Sequence, residues 1–168
     1  MQLLEQKFVS LLFIKIEKDR ELSKTLIPWV GKAGKMIALF IGQKLTAHQI
    51  DLTSKQWVLL KILEEDGRPQ NDLAIITDRN KASLVRLIDT MERKELIERI
   101  QDPSDRRVNK IHLTTHGREV YSTTLPTVFM AFEYLQQDIE KENIETVISA
   151  MKKVLENIEA FKITVQPN

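Results

Sequence analysis

Residues 101 to 110 read QDPSDRRVNK, which sets two carboxylates, Asp102 and Asp105, among three cations, Arg106, Arg107 and Lys110, in a stretch with no glycine. A guanidinium is a planar fork of donors that matches phosphate oxygens, and a carboxylate beside it fixes the fork's direction. The chemistry on offer is therefore anion recognition rather than bond making. No glycine-rich phosphate loop, nucleophile elbow or zinc-protease motif occurs in the chain, so no enzyme is expected. The absence of cysteine removes thiolate nucleophiles, disulfides and zinc–thiolate sites. His112 and His116 are four apart with Asp102 and Asp105 near in sequence, but one falls on a strand and the other at a helix start. Helical i, i+4 geometry does not bring them together, and neither a metal nor a cofactor is expected.

The elements that hold this stretch follow from periodicity. IERI before it and VNKIHL after it are strand-like, and in the latter Asn109, Ile111 and Leu113 alternate with Lys110 and His112. Strands at Leu96–Ile100 and Val108–Leu113 make a hairpin whose long loop projects. Ahead of it, NKASLVRLIDTMERK predicts a helix capped by Asn80, with Leu84, Leu87, Ile88 and Met91 at core spacing. Its other face carries Ala82, Arg86, Asp89 and Arg93, flanked by Ser83 and Thr90. LTSKQWVLLKILEED predicts another helix, capped by Thr53 or Ser54 and ended by Gly67 and Pro69, and PQNDLAIITDRN fits a short helix between them.

Outside this unit the chain reads as helix. Leu4, Phe8, Leu11 and Leu12 suggest an amphipathic first helix, with charge dense from Lys15 to Lys24. Pro28 punctuates, and a second helix begins near Trp29 or Lys32 and runs through Met36, Ile37, Phe40, Ile41 and Leu45, apolar enough to be buried on much of its surface. After Thr114 come two more helices. The first spans about Thr115 to Gln137 with a kink at Pro126, and the second carries Ile144, Val147, Ile148, Met151, Leu155 and Ile158 on one stripe. The fold class is mainly α with a small β-hairpin wing. The expected division is residues 1–50 and 114–168 for helical dimerisation and 51–113 for a winged helix-turn-helix lobe.

A chain of 168 residues can bury a sizeable core, and its 25 Lys and Arg nearly cancel its 24 Asp and Glu. Any basic surface must be local, and from Arg79 to Lys110 bases do outnumber acids. No uncharged stretch approaches the roughly 20 residues of a membrane span, and no signal peptide is read at the amino terminus. A cytoplasmic setting is expected.

Several of these residues resemble the MarR family of bacterial transcription regulators. The likeness rests on Leu73 and Ala74, NKASLVRLIDTMERKELIER from Asn80 to Arg99, the wing DPSDRR, and LTTHGR from Leu113 to Arg118. It implies a homodimer whose terminal helices pair and whose winged lobes straddle a pseudo-palindromic DNA duplex. It also implies a helix in the major groove and a wing arginine in the minor groove. The DNA-binding candidates are Gln70, Lys81, Ala82, Ser83, Arg86, Thr90, Arg106, Arg107 and Lys110, with Asp102 and Asp105 orienting the wing. Arg86 has a second reading, as an ion-pair partner buttressing the wing. Family members often hold a small aromatic or carboxylate effector, and Trp57, Tyr121 and Phe129 are candidates to line its pocket. Two positions depart from the pattern: Val85 replaces a small hydroxylated residue, and Glu95 replaces the glycine before the first strand. The alternative is a winged-helix protein-interaction module with little DNA affinity, which the balanced charge favours.

Overall fold

The computed structural model describes residues 21–165 apart from Asp66, Asp78 and Arg106, with backbone alone beyond Phe161. The helix expected from Leu4 lies outside the described residues, save for a 3-10 turn at Leu22–Lys24. Then follow α1 (Leu26–Ala47), α2 (Ser54–Ile62), β1 (Arg68–Pro69), α3 (Gln70–Ile76), α4 (Lys81–Arg93), β2 (Ile97–Gln101), β3 (Asn109–Leu113), α5 (Thr115–Leu135) and α6 (Lys141–Val165). The fold class is the one the periodicities predict.

Helix α1 starts earlier than expected. Pro28 falls in its first turn, where backbone N–H groups have no intrahelical acceptor, so its missing donor costs nothing. Burial is also less than expected. Only Ile41 and Leu45 are buried, whereas Trp29, Met36 and Ile37 are exposed, because α2 packs on α1 only after a tight reversal at its carboxy-terminal end. That reversal uses Gln49 in the left-handed region (φ 59°), with Gln49 N–H donating to Thr46 and Ile50 N–H to Leu45.

Helix α2 opens with a reciprocal cap: Gln56 N–H donates to Thr53 Oγ1 at 3.2 Å, and Thr53 N–H donates to Gln56 Oε1 at 2.9 Å. It ends at Ile62, ahead of Gly67 and Pro69. Arg68 and Pro69 are thereby free to pair with Ile111 and Lys110 as a third strand, giving the antiparallel order β1-β3-β2. Two residues, one a proline on a sheet edge, carry no alternation a sequence could reveal. The hairpin register sets Ile97 opposite Leu113 and Arg99 opposite Ile111. Ile97, Ile111 and Leu113 are buried with Leu84, Ile88 and Met91 of α4 in the core.

Two junctions lock this core. At the end of α4, Glu95 takes φ 57°, its N–H donating to Glu92 and that of Leu96 to Met91, with Leu96 and Met91 both buried. This is the Schellman arrangement, here made without glycine. At the start of α5, the Thr114 hydroxyl accepts from Gly117 N–H (2.9 Å) and donates to Glu95 carbonyl, while Thr114 N–H donates to Leu96 carbonyl (3.2 Å). A Cβ on Gly117 would lie 1.9 Å from that Leu96 oxygen. Pro126 lies within α5 without ending it.

By internal contacts the chain divides after Ala131. The second unit holds the last turn of α5 and α6, and in α6 Val147, Ile148, Leu155, Ile158 and Phe161 are exposed. No helix among the described residues is long and apolar enough to cross a membrane.

Two substitutions probe the junctions in urea melts. Gly117→Ala must push α5 off the Leu96 carbonyl and is expected to cost about 3 kcal/mol. Glu95→Gly relieves a left-handed non-glycine residue and is expected to gain about 0.5–1 kcal/mol.

Candidate nucleic-acid interface

Asn80 caps α4 by accepting Ser83 N–H at 2.8 Å, as its position in the sequence predicts. Leu84, Ile88 and Met91 then face the core and Leu87 is half-buried, so Lys81, Ala82, Arg86 and Arg93 face outward. Ser83 is half-buried and its hydroxyl accepts from the Arg79 guanidinium at 3.2 Å. Thr90 donates to the Arg86 carbonyl and accepts from Arg93. Lys81 and the Arg86 guanidinium form no hydrogen bond or ion pair with another described residue. Among the described residues, none of the wing pairs with the Arg86 guanidinium. Gln70, half-buried, opens α3 directly after β1.

The buttress is Arg99, in the middle of β2, which sequence reasoning passed over. Its two terminal nitrogens pair with Asp89 and Glu92, three apart on α4. The signal was present in the sequence: an arginine two residues on from buried Ile97, and so on the same strand face, after a helix with two acids at i, i+3 spacing.

At the wing, Asp102 accepts from Ser104 N–H at 2.7 Å and pairs with Lys110 at 2.8 Å. The Lys110 ammonium, with the Ser104 amide, holds the Asp102 carboxyl down at about 2. Lys110 is therefore tied across the base of the loop. Asp105 accepts three times from Arg107: from its N–H at 3.0 Å, from Nε at 3.1 Å and from a terminal nitrogen on the second oxygen at 3.1 Å. This holds the Asp105 carboxyl below the usual carboxylate range, while the Arg107 side chain stays 90% exposed. The result is a guanidinium aimed by its own loop but not covered by it. Arg106 lies outside the described residues.

Of the effector-pocket candidates, Trp57 and Tyr121 come together, rings 5.8 Å apart and both buried, whereas Phe129 is exposed. Trp57 Nε1 donates to Thr124 at 3.0 Å. Burial pushes the Tyr121 hydroxyl pKa up, so it stays protonated and donates to Glu64, which Lys61 also holds. None of the three lines the open groove of about 520 Å³ that runs past Ala38, Gly42 and Thr46 of α1 to Thr53. His112 lies over Gly67, whose Cβ would meet the ring at 1.9 Å, and His116 is exposed in the first turn of α5.

A family model, described as MarR family, matches residues 52–108. Two curated relatives are HTH-type transcriptional regulators of Bacillus subtilis (strain 168). YsmB is 32% identical over 133 residues, covering 75% of this chain and 86% of that protein. YhbI is 32% identical over 78 residues, covering 46% of this chain and only 51% of that one. Among solved structures, an S. aureus MepR–DNA complex superposes with TM-score 0.69 at 27% identity, covering 79% of this chain and 98% of that one.

The wing's ion pairs have a pH signature. The Asp102 carboxyl lies below its ordinary 3.8, so the order it lends the loop is complete above that value and is lost as pH falls toward about 2. A carbon-detected NMR titration should find the Asp102 midpoint near 2 in the native protein. In Lys110→Ala it should return most of the way to 3.8.

Proposed function

This chain belongs to the MarR family of transcriptional regulators, and from that premise we propose that it is a homodimeric, sequence-specific DNA-binding repressor acting on a pseudo-palindromic operator. The observation that carries the reading is Arg107, held in a fork by Asp105 at the tip of the wing and yet exposed. A pre-aimed, solvated guanidinium on a projecting loop suits a narrow minor groove, where the negative potential is enhanced. In this reading the outward face of α4 enters the major groove. Ser83 and Arg86 address base edges, Ala82 meets a thymine methyl, and Lys81 and Thr90 sit by the backbone. Arg106 and Gln70 add phosphate contacts, whereas Lys110 acts by holding Asp102.

The dimer would be made by residues 1–50 and 114–168, and the exposed apolar residues of α1 and α6 support this. Repression would follow from occupying a promoter in the cytoplasm. A small aromatic or carboxylate effector near Trp57, Tyr121 and Phe129 would release DNA by favouring a dimer whose lobes no longer match one helical turn.

Anisotropy titrations against duplex from upstream of its own gene and a shuffled duplex, at two salt concentrations, test this. Binding should be selective and fall steeply with salt. Arg107→Ala should cost roughly tenfold in Kd, and Lys81→Ala should lower the salt slope by about one. Weak binding that is equal on both duplexes would favour the protein-interaction module instead.

A further inference from the structure

Resting on that DNA-reading proposal, we propose that Arg99 is a positioning residue that couples the two readouts, fixing the minor-groove arginine of the wing relative to the major-groove helix. The argument starts from where the wing loses its core. Leu113 pairs with Ile97 and Ile111 with Arg99, and both Leu113 and Ile111 are buried. Beyond the Arg99–Ile111 rung, no described residue of the hairpin from Ile100 to Lys110 is buried. The distal wing has no fully buried residue, its remaining ties to the lobe being half-buried Val108 and the Pro69–Lys110 pairing with β1, and Arg99 stands at its base.

What Arg99 grips is the reading helix itself. Asp89 and Glu92 lie one turn apart on one side of α4, and the guanidinium spans both while remaining only 25% exposed. The fork fixes the direction of β2 as well as its distance, which a single point charge cannot do. From there the ion pairs continue outward: Asp102 with Lys110 across the loop base, then Asp105 with Arg107 at the tip. Each step is local, but Arg99 alone among them joins the wing to α4. Arg99 also neutralises two carboxylates beside a helix that must approach phosphates. Charge and positioning are thus separate consequences of the same contact, and they can be told apart.

The test measures binding of wild type, Arg99→Lys and Arg99→Met, each with and without Arg107→Ala. Amide hydrogen exchange of the DNA-free proteins runs alongside. In wild type, Arg107→Ala should weaken binding roughly tenfold. In both Arg99 variants that factor should shrink to about twofold, the mark of coupling in a double-mutant cycle. The Asp102 and Val108 amides, which donate across the loop, should exchange at least about tenfold faster, with the α2 core amides of Leu59 and Leu60 unchanged. Should Arg99→Met unfold, Asp89→Asn/Glu92→Gln removes the same clamp. A full Arg107 factor in Arg99→Lys, or unaltered exchange at Asp102 and Val108, overturns the proposal. If wild type binds no duplex, the DNA-reading proposal falls, and the exchange comparison still decides whether Arg99 holds the wing.

Discussion

The carbonyl of Leu96 accepts the Thr114 N–H and lies where any side chain on Gly117 would have to be. This approach of the α5 backbone to the turn after α4 sets how much else can be built. It brings the end of β3 against the start of β2, so the hairpin closes at its base and its tip points away from the core. It also sets Arg118 and Tyr121 one turn apart on α5, where they reach the Glu64 carbonyl and carboxylate past the end of α2. A glycine is needed there for space rather than for an unusual dihedral. The left-handed position nearby is filled by Glu95 at a conformational cost, and Leu96 and Met91 repay it by burial.

A chain with almost balanced charge can still present a locally cationic surface if its acids are spoken for. Asp89 and Glu92 are taken by Arg99, Asp102 by Lys110, and Asp105 by Arg107. The first three carboxylates use cations that sequence reasoning would have counted toward phosphate or left aside. The fourth aims its arginine without burying it. Local charge excess along the sequence is therefore a poor guide to the number of cations free to meet an external anion, since those left exposed and unpaired among the described residues, such as Lys81 and Arg86, are fewer than the bases in the stretch.

What was legible in the sequence was what one element decides by itself. The caps at Thr53 and Asn80, the stripe of α4 and the alternation in β3 all follow from short-range periodicity and a single side-chain acceptor. The Asp105–Arg107 fork was legible too, because it closes within three residues. Features that need two distant elements were not. β1 exists only because α2 stops before Gly67 and β3 offers an edge, and Pro28 was read as a boundary although a helix's first turn accepts it. Arg99 was missed because its value depends on the angle between β2 and α4, which periodicity does not encode.

The apolar residues that α1 leaves exposed carry the last step of the argument. Trp29, Met36 and Ile37 of this helix are left exposed by the described residues, while Ile41 and Leu45 toward its carboxy-terminal end, where α2 packs on α1, are buried. The same helix therefore belongs to two packing systems along its length. If the proposed dimer covers its first half, a rotation of α1 in that interface would move the α1–α2 junction, where Leu45 is buried and α2 opens on the reciprocal Thr53–Gln56 cap. Under that proposal a signal acting on the dimer would enter the winged lobe through the packing of α1 on α2, and the proposed Arg99 clamp would carry movement of α4 on to the wing.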